Sequence, residues 1–80
     1  MKAIVHVGLK PGVLDPQGKA VADSLSRMGF DEVADVRIGK VIELELEGTP
    51  SRQDAEARVK AMCDKLLANT VIESYRIELV

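Results

Sequence analysis

The sequence predicts an α+β fold in which an antiparallel sheet carries two helices on one face. Segments of alternating apolar residues enclose two segments with helical spacing, and short turn-forming stretches separate them. Of the 80 residues, 46% are hydrophobic and 30% are charged, which is typical of a globular protein. The order strand, helix, long strand or hairpin, helix, strand favours two layers. If the middle segment is a hairpin, this order of elements is the ferredoxin-like plan. We expect one domain over residues 1–80.

The first strand and first helix have clear boundaries. Apolar and other residues alternate over residues 2–10, and a Pro-Gly pair then predicts a turn. Asp15 predicts an N-cap, because its carboxylate can accept backbone N–H bonds, and Pro16 suits the first helical position. Apolar residues then recur at helical spacing up to Met28. Gly29 is a stop signal, so we expect the helix to end there.

The segment 33–47 is the most informative part of the sequence. Apolar residues occupy its even positions except Lys40, charged residues hold most odd ones, and the phase is unbroken across Gly39-Lys40. A two-residue hairpin turn would place apolar residues opposite carboxylates, whereas a three-residue loop would pair Ile38 with Ile42. One straight strand would measure about 50 Å, although a compact domain of this size is only about 30 Å across. We favour an opened strand, bent at Gly39, that completes the sheet of a partner in a segment-swapped dimer.

The second half of the chain repeats the plan of the first. A Gly-Thr-Pro stretch at residues 48–50 ends the preceding strand, and Ser51 predicts the next N-cap. An apolar stripe at helical spacing follows, consisting of Ala55, Val59, Met62 and Leu66. Residues 71–80 alternate again and predict the last strand.

Composition excludes several classes of function. Eleven basic against thirteen acidic residues give a net charge of −2, and one Phe and one Tyr cannot build a base-stacking platform, which argues against nucleic-acid binding. No apolar run approaches the roughly 20 residues that cross a bilayer, and no leader-like segment precedes the first strand. A single Cys excludes an internal disulfide. We therefore expect a cytoplasmic protein whose small aliphatic core favours oligomerisation.

Three candidates for chemistry are better explained as structural residues. His6 has no nucleophile or orienting carboxylate in a recognisable motif, so a structural or interface role is favoured. Cys63 borders the second apolar stripe and is expected to be a half-buried packing residue. Glutamates at 43, 45 and 47 lie about 7 Å apart along one strand face, too far for one metal ion without a second element. The sequence thus predicts no catalytic residue, no metal site and no bound cofactor.

Six positions are candidates for contacts with a partner or with a second copy of the chain. Two aliphatic residues precede the first helix cap and form either a hydrophobic staple or a docking loop. Two basic residues flank the predicted bend on an otherwise acidic strand. With the cap and the bend included, the candidates are Val13, Leu14, Asp15, Arg37, Gly39 and Lys40.

Three separated stretches of the chain form a recognisable pattern. The first stretch is LKPGVLDPQG, from position 9 to 18. The second runs from the Gly-Phe pair at 29 through VRIGK and IEL in the central segment, and the third combines CDKLLAN with VIESYRIE near the C-terminus. Together they resemble the PurS family, the small subunit of phosphoribosylformylglycinamidine synthase. The stretches follow one another over nearly the whole chain, which makes the resemblance specific.

The resemblance implies a non-catalytic subunit that assembles with an ATP-using synthetase, PurL, and a glutaminase, PurQ. That complex converts formylglycinamide ribonucleotide (FGAR), ATP and glutamine to formylglycinamidine ribonucleotide (FGAM), an early step of purine biosynthesis. A PurS-like dimer or tetramer is expected to bridge the two enzymes and to support the passage of ammonia. ATP and Mg²⁺ would serve the complex and not this chain.

Two other classes of function stay open at this point. Ferredoxin-like domains often bind amino acids at dimer interfaces, so a small-molecule regulatory module is an alternative that rests on fold analogy. The other is a small enzyme that uses His6 or the three glutamates. A regulatory module would bind a small molecule, and an enzyme would show turnover by the chain alone, whereas an adaptor would do neither.

Overall fold

The computed structural model describes residues 1–48 and 51–80. These residues form three strands, two α-helices and one turn of π-helix. Their bounds are Lys2–Leu9 (β1), Pro16–Arg27 (α1), Lys40–Glu45 (β2), Arg52–Met62 (α2), Cys63–Leu67 (the π turn) and Glu73–Leu79 (β3). The predicted α+β class is confirmed. The predicted strand stop includes Thr49 and Pro50, which lie outside the described residues.

Both helices begin where the capping residues predict. The Asp15 side chain accepts a hydrogen bond from the backbone N–H of Gly18, and the Ser51 hydroxyl accepts one from Asp54 at 3.1 Å. Gly29 follows α1 with a φ of 97°, the left-handed conformation that ends many helices. No helix in the described part of the chain is long and apolar enough to span a membrane.

The sheet has β1 at its centre, antiparallel to β2 on one side and to β3 on the other. The register places Val5 opposite both Ile42 and Ile77, so the three side chains share one face of the sheet. Every second residue of β1 from position 3 to position 7 is buried on that face. Val59 of α2 and Cys63 of the π turn complete this aliphatic core.

The π turn at the end of α2 changes which residues reach the core. Helical spacing places Leu66 on the apolar stripe, yet Leu66 is 83% exposed. The backbone N–H of Ala68 donates to the carbonyl oxygen of Cys63 at 3.0 Å, a five-residue step that adds one residue to the turn. Cys63 and Ala68 therefore face the core in place of Leu66. The expectation of a half-buried Cys63 is wrong, because the side chain is fully buried.

The middle segment adopts the opened form. Only Lys40–Glu45 forms a strand, and it pairs with β1 from Val7 opposite Lys40 to Lys2 opposite Glu45. Residues 33–39 form no strand and do not fold back on β2, so the hairpin alternative is wrong for this chain. A continuous strand over 33–47 is not formed either. Its N–H and C=O groups need a neighbouring strand, and residues 33–39 have none within the described chain.

In the ferredoxin-like plan both helices pack on the sheet, and in a single chain of this protein the packing of α1 is incomplete. α2 packs on the sheet, whereas α1 makes few contacts with it, and Gly18 is the one buried residue of α1. A hairpin would have returned α1 to the sheet, but the opened segment holds it away. The chain consequently measures 51 × 24 × 14 Å, with a radius of gyration of 16.1 Å, against about 12 Å for a compact domain of this length.

Candidate functional site at the base of the arm

Two parts of the chain differ in how they pack. The lobe consists of the sheet, α2 and the π turn. The arm consists of α1 and the return segment, residues 29–38, which runs back from the end of the helix to its N-terminus. Two connections join them: residues 10–15 after β1, and the step from Ile38 to Gly39 before β2. All six predicted contact positions lie at or beside these connections, which we call the base of the arm.

Asp15 lies between the two connections. Its Oδ1 accepts a hydrogen bond from the backbone N–H of Gly18, and its Oδ2 accepts one from the backbone N–H of Ile38, both at 2.8 Å. The residue is only 6% exposed. The N–H of Ile38, and after it that of Gly18, hold the pKa of the Asp15 carboxyl below its usual value. The carboxylate therefore stays ionised at neutral pH.

Two glycines allow the backbone to approach closely at the base. A Cβ on Gly18 would collide with the carbonyl oxygen of Val36, and a Cβ on Gly39 would collide with the carbonyl oxygen of Val7. Gly8 shows the contrast, because no atom lies within 4 Å of the place where its Cβ would be. The return segment is therefore held against α1 at one point and against β1 at another, by backbone contacts that only glycine permits.

The two basic positions have different surroundings. Arg37 Nη2 donates a hydrogen bond to the carbonyl oxygen of Lys10 at 3.2 Å, and this contact joins the two connections on the exposed side of the base. Lys40 begins β2 opposite Val7 and is exposed. It lines a shallow cavity of about 300 Å³, together with Glu73 of β3. Both side chains are accessible to a partner.

The apolar residues of the arm are left uncovered. Leu14, just before α1, is 74% exposed, and Val13 beside it is half-buried. Along the stripe of α1, Val21 is 39% and Met28 is 71% exposed, and Phe30 after the helix is 46% exposed. A helix stripe of this kind is normally covered. Among the described residues Leu25 of the stripe is half-buried, while Val21 and Met28 stay exposed.

The candidates for chemistry are engaged in structural contacts. Nε2 of His6 lies 2.8 Å from Oε1 of Glu78, an oxygen that Arg76 also contacts at 2.9 Å. Burial raises the pKa of the Cys63 thiol, and the Asp64 carboxylate adds to this effect. A raised pKa opposes the thiolate that a nucleophilic cysteine needs. Residues 1–48 and 51–80 contain no group of three side chains that could hold a metal ion.

The three glutamates lie on the exposed side of the chain. Glu43 forms an ion pair with Lys2 at 3.2 Å, and both side chains are solvent-accessible. Glu45 lies opposite the same lysine in the sheet register. Exposed pairs of this kind contribute little to stability. The arrangement is that of a solvated strand face.

Two features of the structure are not predicted by the sequence. Helical spacing would place Gly18 on the apolar stripe of α1 with Val21, whereas Gly18 makes room for the backbone of Val36. A glycine inside a helix destabilises it by about 1 kcal/mol relative to Ala. Its presence in α1 is therefore a signal that another part of the backbone approaches the helix closely at this position. The other feature is the Tyr75 hydroxyl, which donates to Asp64 Oδ1 at 2.7 Å; this bond raises the pKa of Tyr75 to about 12. No local pattern predicts that contact, because it joins the π turn to β3.

Comparisons with known proteins identify relatives over almost the full chain. The model of the PurS family, described as phosphoribosylformylglycinamidine (FGAM) synthase, matches residues 2–80. The PurS subunit of that synthase from Bacillus subtilis is 57% identical over 77 residues, which cover 96% of this chain and 89% of the relative. The PurS subunit from Synechocystis is 52% identical over 75 residues, which cover 94% of this chain and 74% of the relative.

Solved structures have the same fold. A structure of B. subtilis PurS in a C2 crystal form matches with a TM-score of 0.86 at 57% identity, covering 96% of this chain and 94% of that one. One chain of a structure of PurLQS from Thermotoga maritima matches with a TM-score of 0.89 at 32% identity. The match covers 99% of this chain and 95% of that one. Since both matches include nearly all residues, the arm and the lobe are both within the shared fold.

Proposed function

Because the chain belongs to the PurS family, we propose that it is the non-catalytic structural subunit of phosphoribosylformylglycinamidine synthase. In this role it bridges a PurL-type synthetase and a PurQ-type glutaminase in purine biosynthesis. The complex converts FGAR, ATP and glutamine to FGAM, and the subunit supports the transfer of ammonia between the two active sites. The ligase activity belongs to the complex, and we propose that the complex works in the cytoplasm, where ATP and glutamine are available.

One observation carries this proposal. This chain matches a chain of the PurLQS structure from T. maritima over 99% of its own length. The TM-score of 0.89 means that the backbone of this chain, including the base of the arm, follows the same path as a chain solved as part of PurLQS. A shared backbone path supports the role of an adaptor, since the function of an adaptor depends on contacts rather than on a reacting group.

The state of the reactive side chains supports a non-catalytic role. The Cys63 thiol is fully buried and its pKa is raised, so it is poorly suited to act as a nucleophile. Glu78 holds Nε2 of His6, and no nucleophile forms a hydrogen bond with this imidazole among the described residues. The cavities at the base of the arm, of about 300 and 260 Å³, are at or below the lower end of the range for small-molecule sites. We propose that ATP and Mg²⁺ bind to the synthetase and that this chain holds no cofactor.

A second copy of the chain is the first partner in this proposal. The chain exposes 5797 Å², about 1,000 Å² more than a compact monomer of its mass. That excess is close to the roughly 800 Å² that each partner hides in an interface of ordinary size. Within residues 1–48 and 51–80 no strand pairs with the outer edge of β2, and we propose that residues 33–38 of a second copy supply its neighbour. A dimer or tetramer built on exchanged segments would also bring a surface onto the uncovered stripe of α1.

The contribution to catalysis is positional. Ammonia released by the glutaminase is lost to water and protonation unless the synthetase site is close. A rigid adaptor that fixes the distance between two active sites turns an encounter through solvent into a transfer within one particle. Leu14 and Arg37, which are exposed at the base of the arm, are the contacts that we assign to partner binding.

Reconstitution with a synthetase and a glutaminase tests the proposal. We expect that omitting this chain lowers the glutamine-dependent rate of FGAM formation at least tenfold and leaves the ammonia-dependent rate unchanged. A chain that turns over any of the substrates alone would contradict a non-catalytic role. A shift of melting temperature with an amino acid, without partner binding, would instead favour the regulatory module.

Variants at the base of the arm locate the contacts. We expect Leu14→Asp and Arg37→Glu to weaken assembly of the complex while leaving the circular dichroism of the chain unchanged. Leu66→Asp and Arg58→Glu are the matched controls, since both alter exposed residues of the lobe. Equal glutamine-dependent rates for all four variants would exclude Leu14 and Arg37 as partner contacts.

A further inference from the structure

The direction of the arm depends on two connections that are flexible by composition. The first, residues 10–15, contains Gly12 with a φ of 87°. The second contains Gly39, which lies against the carbonyl oxygen of Val7. Glycine allows many backbone conformations at Gly12, whereas the contact with Val7 holds Gly39 to β1 and leaves the direction of Ile38 to the bonds that the arm makes. With few contacts between α1 and the sheet, the connections alone would let the arm swing relative to the lobe.

We propose that Asp15 is the positioning residue that fixes the direction of the arm relative to the sheet. One carboxylate oxygen holds the backbone N–H of Gly18, in the first turn of α1, and the other holds the backbone N–H of Ile38, immediately before the second connection. A single side chain at the end of the first connection thus ties the first turn of α1 to the residue from which the second connection starts, so that the two connections are joined where they enter the arm.

The surroundings of Asp15 suit this role. The residue is 6% exposed, and hydrogen bonds in a setting shielded from water are more costly to lose than exposed ones. Positive charge favours the ionised form from two sides: the N-terminus of α1 and the guanidinium of Arg37. The lowered pKa of the carboxyl agrees with this geometry. Arg37 makes a second link across the base through the carbonyl oxygen of Lys10, but on the exposed side.

This role differs from the one that the sequence predicts for Asp15. The Asp15 carboxylate is 6% exposed and each of its oxygens accepts a backbone N–H bond from the arm. In this proposal Asp15 therefore acts within the chain, by holding the arm and the exposed residues that the arm carries. The proposal concerns the chain by itself. It holds or fails independently of the proposed function, because its test contains no synthetase and no glutaminase.

Distance measurements between two spin labels test the proposal. Ser26→Cys on α1 and Glu56→Cys on α2 introduce labelling sites at exposed positions of the arm and of the lobe. The buried Cys63, with its raised pKa, remains unlabelled at neutral pH. Dilution with unlabelled protein limits the measurement to distances within one chain. We expect a narrow distance distribution for the parent protein.

The decisive variant is Asp15→Asn, which has nearly the same shape and retains one acceptor oxygen. It can cap α1 or hold Ile38, but not both, so we expect the distance distribution to become at least twice as broad. Asp15→Ser is a second variant, in which a single hydroxyl oxygen can still cap α1. We expect it to broaden the distance distribution as Asp15→Asn does. Ser51→Ala is the control, because it removes the cap of α2 and leaves the base of the arm intact.

The outcomes separate a positioning role from a merely structural one. A broad distance distribution in the Asp15 variants, with unchanged helix content, supports the proposal if Ser51→Ala has the narrow distribution of the parent protein. A narrow distribution in either folded variant overturns it. Loss of α1 in both variants, seen by circular dichroism, also overturns it, because Asp15 would then be needed for the helix and not for its direction.

Discussion

The two helices of this protein show that amphipathic character and burial within one chain are different properties. α1 separates apolar and polar residues more sharply than α2 does, yet its stripe is exposed. α2 has the weaker pattern and buries Ala55 and Val59 against the sheet. A helix pattern therefore predicts that one face is covered, but it does not predict that the same chain covers it.

The comparison extends from the helices to the arm and the lobe as a whole. The lobe has a closed core in which every second residue of β1 is buried. The arm has backbone contacts at its base, an uncovered stripe and a return segment without strand partners. We therefore expect the lobe to supply most of the stability of the isolated chain and the arm to supply a surface for association.

The largest contrast is expected between charges placed in the lobe and in the arm. Val59→Asp buries a carboxylate without a partner, which costs about 3–5 kcal/mol, a large share of the stability of so small a protein. We expect it to unfold the chain. Met28→Asp, at a position that is 71% exposed, should leave the fold intact and weaken self-association. Thermal unfolding and sedimentation measure both effects, and unfolding by Met28→Asp would remove the contrast.

The contact between Gly39 and β1 allows a second test at the boundary of arm and lobe. Gly39→Val should force the backbone away from the Val7 carbonyl and destabilise the chain by about 1–3 kcal/mol, with a disturbed oligomer. Gly8→Val is the matched control, since there is open space around Gly8 and strands favour β-branched residues. Urea titration and sedimentation provide the readouts. Equal midpoints for the two variants would show that the close approach is not needed.

A smaller effect within the lobe is the ionisation of Tyr75. The hydrogen bond to Asp64 raises its pKa to about 12, so the phenol stays neutral well above the usual value of 10. The stabilising effect of this bond is fully present below pH 10 and is lost as the pH rises from 10 to about 12. Because Tyr75 is the only tyrosine and Trp is absent, absorbance at 295 nm reports it alone.

The controls for Tyr75 are a variant and an unfolded sample. We expect Asp64→Asn to move the titration midpoint down towards 10, since the neutral amide removes the negative charge beside the phenol. The parent protein in concentrated urea should titrate near 10 as well. A folded parent protein with a midpoint near 10 would mean that the hydrogen bond is absent in solution.

The smallest effect is expected from an ion pair on the arm. Lys19 and Asp23 lie 3.7 Å apart on the exposed side of α1. Lys19→Ala should change the free energy of unfolding by no more than about 0.5 kcal/mol, because exposed pairs one helical turn apart are screened by water. Urea titration checks this value. A larger loss would indicate that the exposed side of α1 contributes to stability or association.

Several features of the fold were predictable because they depend on neighbouring residues. The caps at Asp15 and Ser51 use side-chain oxygens that reach the first helical turn, three residues further on. The alternation in β1 assigns the buried face, because side chains of a strand point to opposite sides in turn. Leu66 shows where local spacing fails, since one extra residue in the π turn rotates the positions that follow. The six contact positions gather at the base of the arm, and their role as contacts stays a prediction.

By itself, the sequence determined the order of the elements, the two helix starts and the buried face of the sheet, because these follow from interactions within a few residues. The sequence favoured an opened middle segment over a hairpin, and the tertiary structure decided between them. Only the tertiary structure showed that α1 stands away from the sheet and that Asp15 also holds Ile38. Such contacts join residues that are distant in the sequence, and they exist only once the path of the backbone brings the two groups within hydrogen-bond distance.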